Sequence, residues 1–386
     1  MKILHLCSYY FSHDLYQNLF TSLSKLNNIE EYIYVPIKKY QKNDVIKNIE
    51  GRNIQYANIH LKYALIINNY HRFLYYQKIK MLYYDIIKKY NIKTFNIIHA
   101  HTLYSDGGVA YLLSIKYNID YIIAIRNTDI NIFYKYFFHT RSYIYKVLLR
   151  AKYIIFISEA YKQTAFRILP KYIVNKISSK CITIPNGINQ EWLVNEHNND
   201  FKAKAKEIII TQISELTYNK NIQSTIKACS ILKQQGYLIK INIVGSGNYL
   251  RKLKRLCKKL KMENNTIFWG YVKDIYVLKN ILQQSSVFVM PSFHETFGVV
   301  YIESLSQGVP IIYSKDQGVD KIFKSYVGEA VNPYDIIEIS KAIEKLSQKR
   351  IELKEICKTE AYSFNWNNIA KIYYNLYNSF INGILK

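Results

Sequence analysis

The stretch SVFVMPSFHETFGVVYIESLSQGVPII, residues 286–312, places a short apolar run, a polar loop and an apolar helical segment in succession. The apolar run predicts a buried strand, and Gly298 opens the helical segment that follows. Glu295 then lies in the loop, and Glu303 lies about a turn into the helix. Ligands of open α/β sheets bind at the carboxyl ends of the strands, so both carboxylates are expected to face one crevice at that edge.

The same alternation of apolar run and helix extends through most of the chain. Continuous apolar strands separated by helices predict parallel sheets that are covered on both faces. The predicted strands are KILHLC, EYIYVP, FNIIHA, YIIAIR, YIIFIS, CITIP, EIIITQIS, IKINIVGSG, NTIFWG, SVFVMPS, VPIIYS and YVGEAV. The predicted helices are 14–27, 70–90, 104–117, 131–150, 159–168, 219–234, 249–261, 274–283, 297–306 and 334–349. So many strands exceed one compact doubly wound sheet, and we expect two Rossmann-like halves.

The predicted boundary between the halves is an Asn-rich polar patch, NEHNND, at 195–200. The domains expected from it are 1–195 and 196–365. An amphipathic helix, 366–386, follows and is expected to cap the second domain.

The composition excludes several classes of protein. Of the 386 residues, 49% are hydrophobic and 21% are charged, which indicates a globular chain rather than a disordered one. No apolar run approaches the roughly 18 residues of a membrane-spanning helix, and the N-terminus is not typical of a signal peptide. The five cysteines are scattered and never spaced as CxxC, which favours a reducing cytosol without disulfides or a zinc site.

Positive charge is concentrated in the first half. The formal net charge is +25, and residues 51–180 contain 20 Lys and Arg against five Asp and Glu. Residues 301–350 contain seven of each sign. Part of the excess reflects a composition rich in Ile, Lys, Asn and Tyr, but its uneven distribution indicates an anionic partner for the N-terminal half.

The loop and helix at 291–306 have the chemistry of a phosphate and ribose site. The backbone amides of Phe297, Gly298 and Val299 open the helix, where N–H groups and the dipole favour an anion. A carboxylate one turn later can accept hydrogen bonds from ribose hydroxyls. Exposed surface glutamates beside an ordinary helix start remain the alternative at this point.

The pattern P-S-x-x-E-x-F-G-x-x-x-x-E-x-x-x-x-G-x-P resembles the donor-site signature of retaining glycosyltransferases, family 4. Other stretches resemble that family in the expected order: IPNGIN at 184–189, IVGSGNY at 243–249 and IFWGYVKD at 267–274. The resemblance covers nearly the whole chain and implies the GT-B fold. That fold has two Rossmann-like domains with parallel sheets facing a central cleft, and a C-terminal helix that packs back toward the first domain.

The resemblance also implies roles for single residues. Glu303 would hold the ribose of a nucleotide sugar, and Glu295 would lie beside the sugar and its anomeric phosphate. Lys220 stands where the family keeps a lysine on the diphosphate, and Gly245 lies in the family's turn at the donor. Phe297, Gly298 and Val299 would present backbone donors to the diphosphate and the sugar. A lysine and helix amides can stabilise a leaving diphosphate without a metal, so no cofactor besides the nucleotide-sugar co-substrate is expected.

Two segments depart from the family pattern. Ser214 and Glu215 stand where many members have glycine and arginine near the lysine. Arg126 stands where a histidine is common, while Asp129 is retained. A guanidinium cannot act as a base, so an anion contact is expected of Arg126. These departures raise the alternatives of an inactive chain or an unusual donor.

The segment HAHTLYSDGG, 99–108, offers two readings. His99 and His101 are expected on opposite faces of a strand, and no further ligand cluster lies nearby in the sequence, which disfavours a metal site. The resemblance instead places His101 at the cleft on the acceptor side, together with Arg126 and Asp129. His99 is expected to be a core residue.

A basic aromatic stretch, 63–90, is the candidate surface for an anionic membrane or glycan. Its cations are Arg72, Lys78, Lys80, Lys88 and Lys89. The alternative is an ordinary helix in a Tyr- and Lys-rich protein. The basic run at 251–261 is expected to be a solvated helix face.

The leading hypothesis is a retaining, metal-independent hexosyltransferase that moves a sugar from a nucleotide diphosphate-sugar donor to a hydroxyl acceptor. It would make cell-surface glycan or glycolipid in the cytoplasm, at the inner face of the cell membrane. A GT-B sugar-nucleotide epimerase and a non-catalytic basic protein that binds membrane or nucleic acid are the alternatives. No nucleic-acid motif supports the last of these, and no nucleic-acid partner is expected.

Overall fold

The computed structural model describes residues 1–12, 14–39, 57–194 and 206–382. The chain forms two compact units. The first unit consists of Met1–Ile157, Lys162–Asn186 and Trp366–Lys386, and the second of Ser158–Tyr161 and Gly187–Asn365. The predicted polar boundary at 195–200 lies outside the described residues.

A seven-stranded parallel sheet forms the centre of the first unit, in the order β3-β2-β1-β4-β5-β6-β7. Its strands are β1 Lys2–Leu6, β2 Glu30–Lys38, β3 Ile59–Ile67, β4 Ile97–Ala100, β5 Tyr121–Ile125, β6 Tyr153–Phe156 and β7 Cys181–Thr183. The helices of this part of the chain are α1 Asp14–Ser24, α2 Tyr75–Lys89, α3 Ser105–Tyr117, α4 Arg141–Arg150, α5 Glu159–Ile168 and α6 Lys171–Ile177.

The second unit contains a six-stranded parallel sheet in the order β10-β9-β8-β11-β12-β13. Its strands are β8 Glu207–Ile213, β9 Leu238–Val244, β10 Thr266–Gly270, β11 Val287–Met290, β12 Ile311–Ser314 and β13 Gly328–Val331. The remaining helices are α7 Gln190–Leu193, α8 Ile222–Gln234, α9 Leu250–Lys259, α10 Ile275–Gln283, α11 Val299–Ser306, α12 Ile336–Gln348, α13 Arg350–Tyr362 and α14 Trp366–Asn382.

Each sheet has one point at which the strand order reverses. In the first unit the chain runs outward from β1 to β3 and returns to β4 beside β1. In the second it runs outward from β8 to β10 and returns to β11 beside β8. The loops after β1 and β4, and those after β8 and β11, therefore flank the crevices in which doubly wound sheets bind ligands.

The terminal helix α14 belongs to the first unit, as the resemblance to family 4 implies, so the expectation that it caps the second domain is wrong. It packs against α1 and adds Tyr373 and Tyr377 to the core around Ile3, Phe20 and Ile33. These five side chains are at most 4% exposed, so the last helix completes this core rather than lying on its surface.

Three parts of the secondary structure differ from the sequence prediction. Strand β3, Ile59–Ile67, was not predicted, because it is an edge strand whose Lys62 and Tyr63 are exposed and interrupt the apolar run. The helix predicted over 131–150 is divided into a π-helical turn, Asp129–Tyr134, and α4. Helices α6, α7 and α13 were not predicted. Among the described residues, no helix has the length and apolar character needed to cross a membrane.

Candidate active site

The predicted Lys220 and Glu295 are brought together in the second unit. The Lys220 Nζ lies 2.6 Å from the Glu295 Oε2, and both side chains are largely shielded from solvent. Lys220 follows β8 and Glu295 follows β11, so the ion pair lies at the strand-order reversal of this sheet. A crevice at that place therefore has a cation and a carboxylate in direct contact.

Two asparagines fix the segment that carries Lys220. The Asn219 side chain accepts from the His294 N–H at 3.0 Å and donates to the His294 carbonyl at 2.9 Å. Asn221 has a left-handed backbone, with φ 52°, and its buried amide donates to the carbonyls of Pro291 and Pro333. The loop after β8 is thereby attached to the loop after β11. Nothing in the sequence pattern singled out these asparagines.

The Glu295 carboxylate and backbone are held by three neighbours. The Thr296 N–H donates to Glu295 Oε1 at 3.1 Å, and the Glu295 N–H donates to the Gln317 side chain at 3.1 Å. The Gly318 N–H donates to the Glu295 carbonyl, and a Cβ at Gly318 would lie 2.9 Å from the Glu295 Cγ. Gln317 and Gly318, which the sequence reading missed, thus set the position of the carboxylate.

Gly298 shapes the entry to α11. Its φ of 80° is left-handed, and a Cβ there would lie 2.5 Å from the Tyr301 ring. Phe297 is buried, which anchors the loop just before this turn. The Tyr301 N–H donates to the Gly298 carbonyl, whereas the Val299 amide precedes the first intrahelical hydrogen bond and leaves an N–H group at the helix start. Such an end favours an anion, and the phosphate contact expected there stays a prediction.

Glu303 lies in α11, one turn beyond Val299, and its side chain is half-buried. Burial raises the pKa of this carboxyl to about 7, and no neighbouring charge contributes to the shift. The carboxyl group therefore gains or loses its charge near neutral pH. Because it is shielded from water, a hydrogen-bonding partner would stabilise its charged form.

Gly245 forms a tight turn after β9. Its φ is 131°, and a Cβ would lie 1.9 Å from the Ser214 carbonyl oxygen, so only glycine fits. The turn borders a cavity of about 270 Å³ whose lining includes Ser214, Glu215, Gly245 and Tyr271. Glu215 is exposed at this cavity. Both residues that depart from the family pattern thus line one small cavity at the carboxyl ends of β8, β9 and β10.

In the first unit, the residues predicted for the acceptor side, Asp129, Arg126 and His101, make hydrogen bonds to neighbouring backbone groups or lie in the core. The buried Asp129 carboxylate accepts hydrogen bonds from the backbone N–H groups of Leu103, Tyr104 and Arg126 at 2.8–3.2 Å. Burial raises its pKa to about 6 despite these donors. The Arg126 guanidinium donates to the His101 carbonyl at 3.2 Å, and the His101 ring is fully buried.

The expectation that His99 and His101 point to opposite faces is wrong. Their ring centroids lie 3.9 Å apart, because residues two apart in a strand share a face. His5, paired with His99 across β1 and β4, joins them. Its Nδ1 lies 3.1 Å from the His101 Nε2, and the His99 Nδ1 lies 2.7 Å from the Tyr377 hydroxyl.

These three rings offer nitrogens within 4.8 Å of one another, a spacing that could hold a metal ion. Burial lowers the pKa of His5 to about 3 and those of His99 and His101 well below the usual value, so the rings are neutral. His5 Nδ1 and His101 Nε2 are hydrogen-bonded to each other, and His99 Nδ1 is hydrogen-bonded to the Tyr377 hydroxyl. The second nitrogen of each ring is buried and has no hydrogen-bond partner among the described residues.

Asp106, at the start of α3, is a buried carboxylate that the sequence reading did not select. It accepts hydrogen bonds from the Ser8 N–H and hydroxyl and from the Thr102 hydroxyl. Burial raises its pKa to about 7. Ser8 follows β1 and Asp106 follows β4, so this carboxylate joins the two loops at the strand-order reversal of the first sheet.

Two Rossmann-like units of this kind define the GT-B fold class, and solved structures agree. Anabaena HepE in complex with UDP superposes with a TM-score of 0.69 over 98% of this chain and 100% of its own, at 15% identity. That likeness concerns the fold.

The sequence of the second unit matches a family model. Residues 194–364 match the model of the glycosyl transferases group 1. An uncharacterized glycosyltransferase of Methanocaldococcus jannaschii is 30% identical over 218 residues, 53% of this chain and 55% of the relative. A second uncharacterized glycosyltransferase of that organism is 22% identical over 92% of both chains. The chain thus spans little more than half of the first relative and most of the second.

Proposed function

We propose that this glycosyltransferase moves a sugar from a nucleoside diphosphate donor to a hydroxyl acceptor with retention of configuration, in the synthesis of cell-surface glycan or glycolipid. The observation that carries the proposal is the contact between Lys220 and Glu295 at the strand-order reversal of the second unit. The family of the segment 194–364 supports the transfer of a glycosyl group.

The second unit offers a separate place for each part of such a donor. The diphosphate would meet Lys220 and the amides at the start of α11, where positive charge faces the crevice. The ribose would lie against Glu303. The base would enter the cavity bordered by Gly245 and Tyr271. HepE, which has this fold, was solved with UDP bound, and that fits a nucleoside diphosphate here.

The proposed chemistry is the exchange of one bond to the anomeric carbon. The bond from that carbon to the β-phosphate oxygen breaks, and its electron pair stays on the phosphate. The acceptor oxygen forms the new bond on the same face, and its proton passes to the departing phosphate. Lys220 and the helix amides stabilise the negative charge as it grows, and no metal is part of the proposal.

Glu295 has two functions in this proposal. Its negative charge keeps the Lys220 Nζ at the crevice while the donor is absent. Its carboxylate can then accept hydrogen bonds from the sugar hydroxyls once the diphosphate takes over the lysine. The departures at Ser214 and Glu215 would alter the choice of base or sugar, because they line the cavity beside Gly245.

The first unit is proposed to meet the acceptor, at an anionic membrane surface on the cytoplasmic side. The excess of 15 positive charges in residues 51–180 supports an anionic partner. The described cations of this stretch that are exposed include Lys80 and Lys88 on α2. Charge of this kind adds affinity that falls as salt is raised.

A panel of nucleotide sugars tests the proposal. Purified protein is titrated with each one by calorimetry and then assayed for release of nucleoside diphosphate with bacterial lipid extract as acceptor. We expect one donor to bind and to be consumed only when an acceptor is present. Conversion of the donor into an epimeric nucleotide sugar would identify the epimerase, and absence of binding by every donor would contradict the proposal.

A further inference from the structure

The first unit contains a cavity that the donor chemistry does not use. It has a volume of about 570 Å³ and lies at the carboxyl ends of β1, β2, β3 and β5. Its polar floor includes Ser8, His71, Lys78 and Ser105. Ser8 and Ser105 follow β1 and β4, so the cavity opens at the strand-order reversal of the first sheet, where ligands of such sheets bind.

The charged groups of this lining are cationic. Lys38 and Lys78 both border the cavity, and among its described lining residues there is no Asp or Glu. The Lys78 Nζ donates to the Ser105 hydroxyl at 2.5 Å, and no carboxylate pairs with it among the described residues. Burial lowers the pKa of Lys78 to about 8. Asp106, behind the floor, accepts from Ser8 instead.

His71 adds a neutral donor. Its Nδ1 accepts a hydrogen bond from the Asn68 N–H at 2.9 Å, so its Nε2 carries the proton. The ring is 6% exposed, and burial together with the nearby Lys78 lowers its pKa. One ammonium, one imidazole N–H and two serine hydroxyls therefore line the floor, which suits the several acceptor oxygens of a phosphate.

The opposite wall is aromatic and continues to the surface. Tyr104 stacks on Phe133 at 5.2 Å, Phe133 lies 5.6 Å from Phe137, and Phe137 lies 6.4 Å from Phe73. Phe73 is 71% exposed and Phe138 is 72% exposed. Exposed rings beside a cationic cavity are costly in water unless an apolar group covers them. Further exposed apolar side chains of the same two segments are Tyr70, Leu74, Tyr76, Ile132 and Tyr136.

We infer that this cavity binds the sugar acceptor as a phosphate-bearing lipid whose head group also carries the accepting hydroxyl, with its phosphate on the floor at Lys78 and its apolar chain along the rings from Tyr104 to Phe73. The inference rests on the proposed function and names the acceptor class for it. Charge alone would suit a soluble anionic glycan equally well. The aromatic wall favours the lipid, because a glycan has no chain to cover Phe73 and Phe138.

Three small probes test the inference in the full chain: octyl phosphate, octyl glucoside and inorganic phosphate, each below any micelle concentration. Calorimetry should show octyl phosphate binding at least about tenfold more tightly than either of the others, because only it fills both floor and wall. Lys78→Gln should weaken the binding of octyl phosphate by about tenfold and leave the binding of octyl glucoside unchanged. Phe73→Ser should weaken the binding of both octyl compounds.

Matched variants separate binding at the cavity from general effects. Lys116→Gln removes the same charge from the exposed last turn of α3, and Tyr84→Ser removes an exposed ring from α2. Both should bind octyl phosphate like wild type. Equal affinity for octyl phosphate in wild type and Lys78→Gln, or equal affinity of wild type for octyl phosphate and inorganic phosphate, would overturn the inference.

Donor binding in the same samples keeps the two proposals apart. UDP and GDP affinities should be unchanged in Lys78→Gln and Phe73→Ser, because these residues lie in the other unit from Lys220. If the wild type binds octyl phosphate but no nucleoside diphosphate, the donor proposal fails and the cavity stands. If it binds a nucleotide but none of the octyl compounds, the acceptor inference fails alone.

Discussion

At the scale of single residues, the predicted donor carboxylate Glu303 has a property that sequence could not supply. A glutamate within an apolar helical segment is visible in the sequence, but its pKa of about 7 depends on how deeply the folded unit buries it. The same holds for the contact of Lys220 with Glu295, two residues separated by 75 positions. The resemblance to family 4 pointed to both residues, and folding brings them into contact.

Donor binding should depend on the charge of Glu303. Its pKa is raised in the folded protein, so the carboxyl is neutral at pH 6 and ionised at pH 8. An ionised carboxylate accepts stronger hydrogen bonds from ribose hydroxyls than a neutral carboxyl does. The affinity for nucleoside diphosphate should therefore rise as the pH is increased through about 7. Glu303→Gln should lose that part of the pH dependence, in calorimetric titrations at several pH values. Identical pH profiles in both proteins would remove Glu303 from the ribose site.

Removing the Glu303 carboxylate should weaken donor binding. Glu303→Ala loses a charged hydrogen bond to the ribose, worth roughly 1.5–3 kcal/mol. Calorimetry at pH 8, where the wild-type group is ionised, gives the largest difference. Unchanged donor affinity in the alanine variant would contradict the assigned contact.

Replacement of Lys220 should act on turnover. Leaving-group charge is greatest in the transition state, so Lys220→Ala should lower kcat by more than it raises KM. The matched control is Lys227→Ala, an exposed lysine on the following helix α8, which should behave like wild type. Steady-state kinetics that show equal kcat for Lys220→Ala and wild type would contradict the role.

At the scale of elements, the strands with continuous apolar runs were predictable and the polar segments between them were not. All six strands of the second sheet and six of the seven in the first were confirmed. A strand buried on both faces is a continuous apolar run, which is easily recognised in a sequence. Strand β3 was missed because exposed Lys62 and Tyr63 interrupt it. His99 and His101 were predicted on opposite faces of a strand, whereas residues two apart in a strand share a face.

The turn into α11 gives a test at this scale. Gly298→Ala should destabilise the protein by more than Gly236→Ala, although both glycines have a left-handed φ, of 80° and 91°. Each substitution costs about 1–2 kcal/mol of backbone strain. Only at Gly298 would the new methyl also meet a side chain, the Tyr301 ring at 2.5 Å. Denaturant unfolding measures the difference, and equal losses would show that the turn tolerates a methyl group.

Helix α2 carries the proposed membrane contact, and the structure divides its lysines into two kinds. Lys80 and Lys88 are exposed, whereas Lys78 borders the cavity and Lys89 lies 2.5 Å from Asp85. Changing Lys80 and Lys88 to Gln should therefore account for most of the loss of vesicle co-sedimentation expected when all four lysines are changed to Gln, up to about 1 kcal/mol per charge.

The control for that experiment is a change of the same charge elsewhere. Lys258 and Lys259 are exposed on α9 in the second unit, and replacing both by Gln should leave sedimentation with anionic vesicles unchanged. Binding of the wild type should also fall as salt is added. Equal loss in both double variants would mean that net charge, and no particular surface, governs the association.

At the scale of the whole molecule, sequence alone indicated two Rossmann-like halves and a terminal helix. The family of the second unit and the fold of the complete chain agree with that reading. The cavity of the first unit could not be anticipated, because its floor comes from loops after β1 and β4 and its wall from residues 73 and 133–137. These segments are distant in the chain and no shared motif connects them.

The central claim is sugar transfer with retention from a nucleoside diphosphate donor, carried out at Lys220 and Glu295. Proton NMR of the first product, taken with the accepted donor and acceptor before any anomeric exchange, tests it most directly. With retention of configuration, an α-linked donor should give an α-linked product, and the Lys220→Ala and Glu295→Ala double variant should give no product. An inverted linkage in the wild-type product, or full transfer by that double variant, would contradict it.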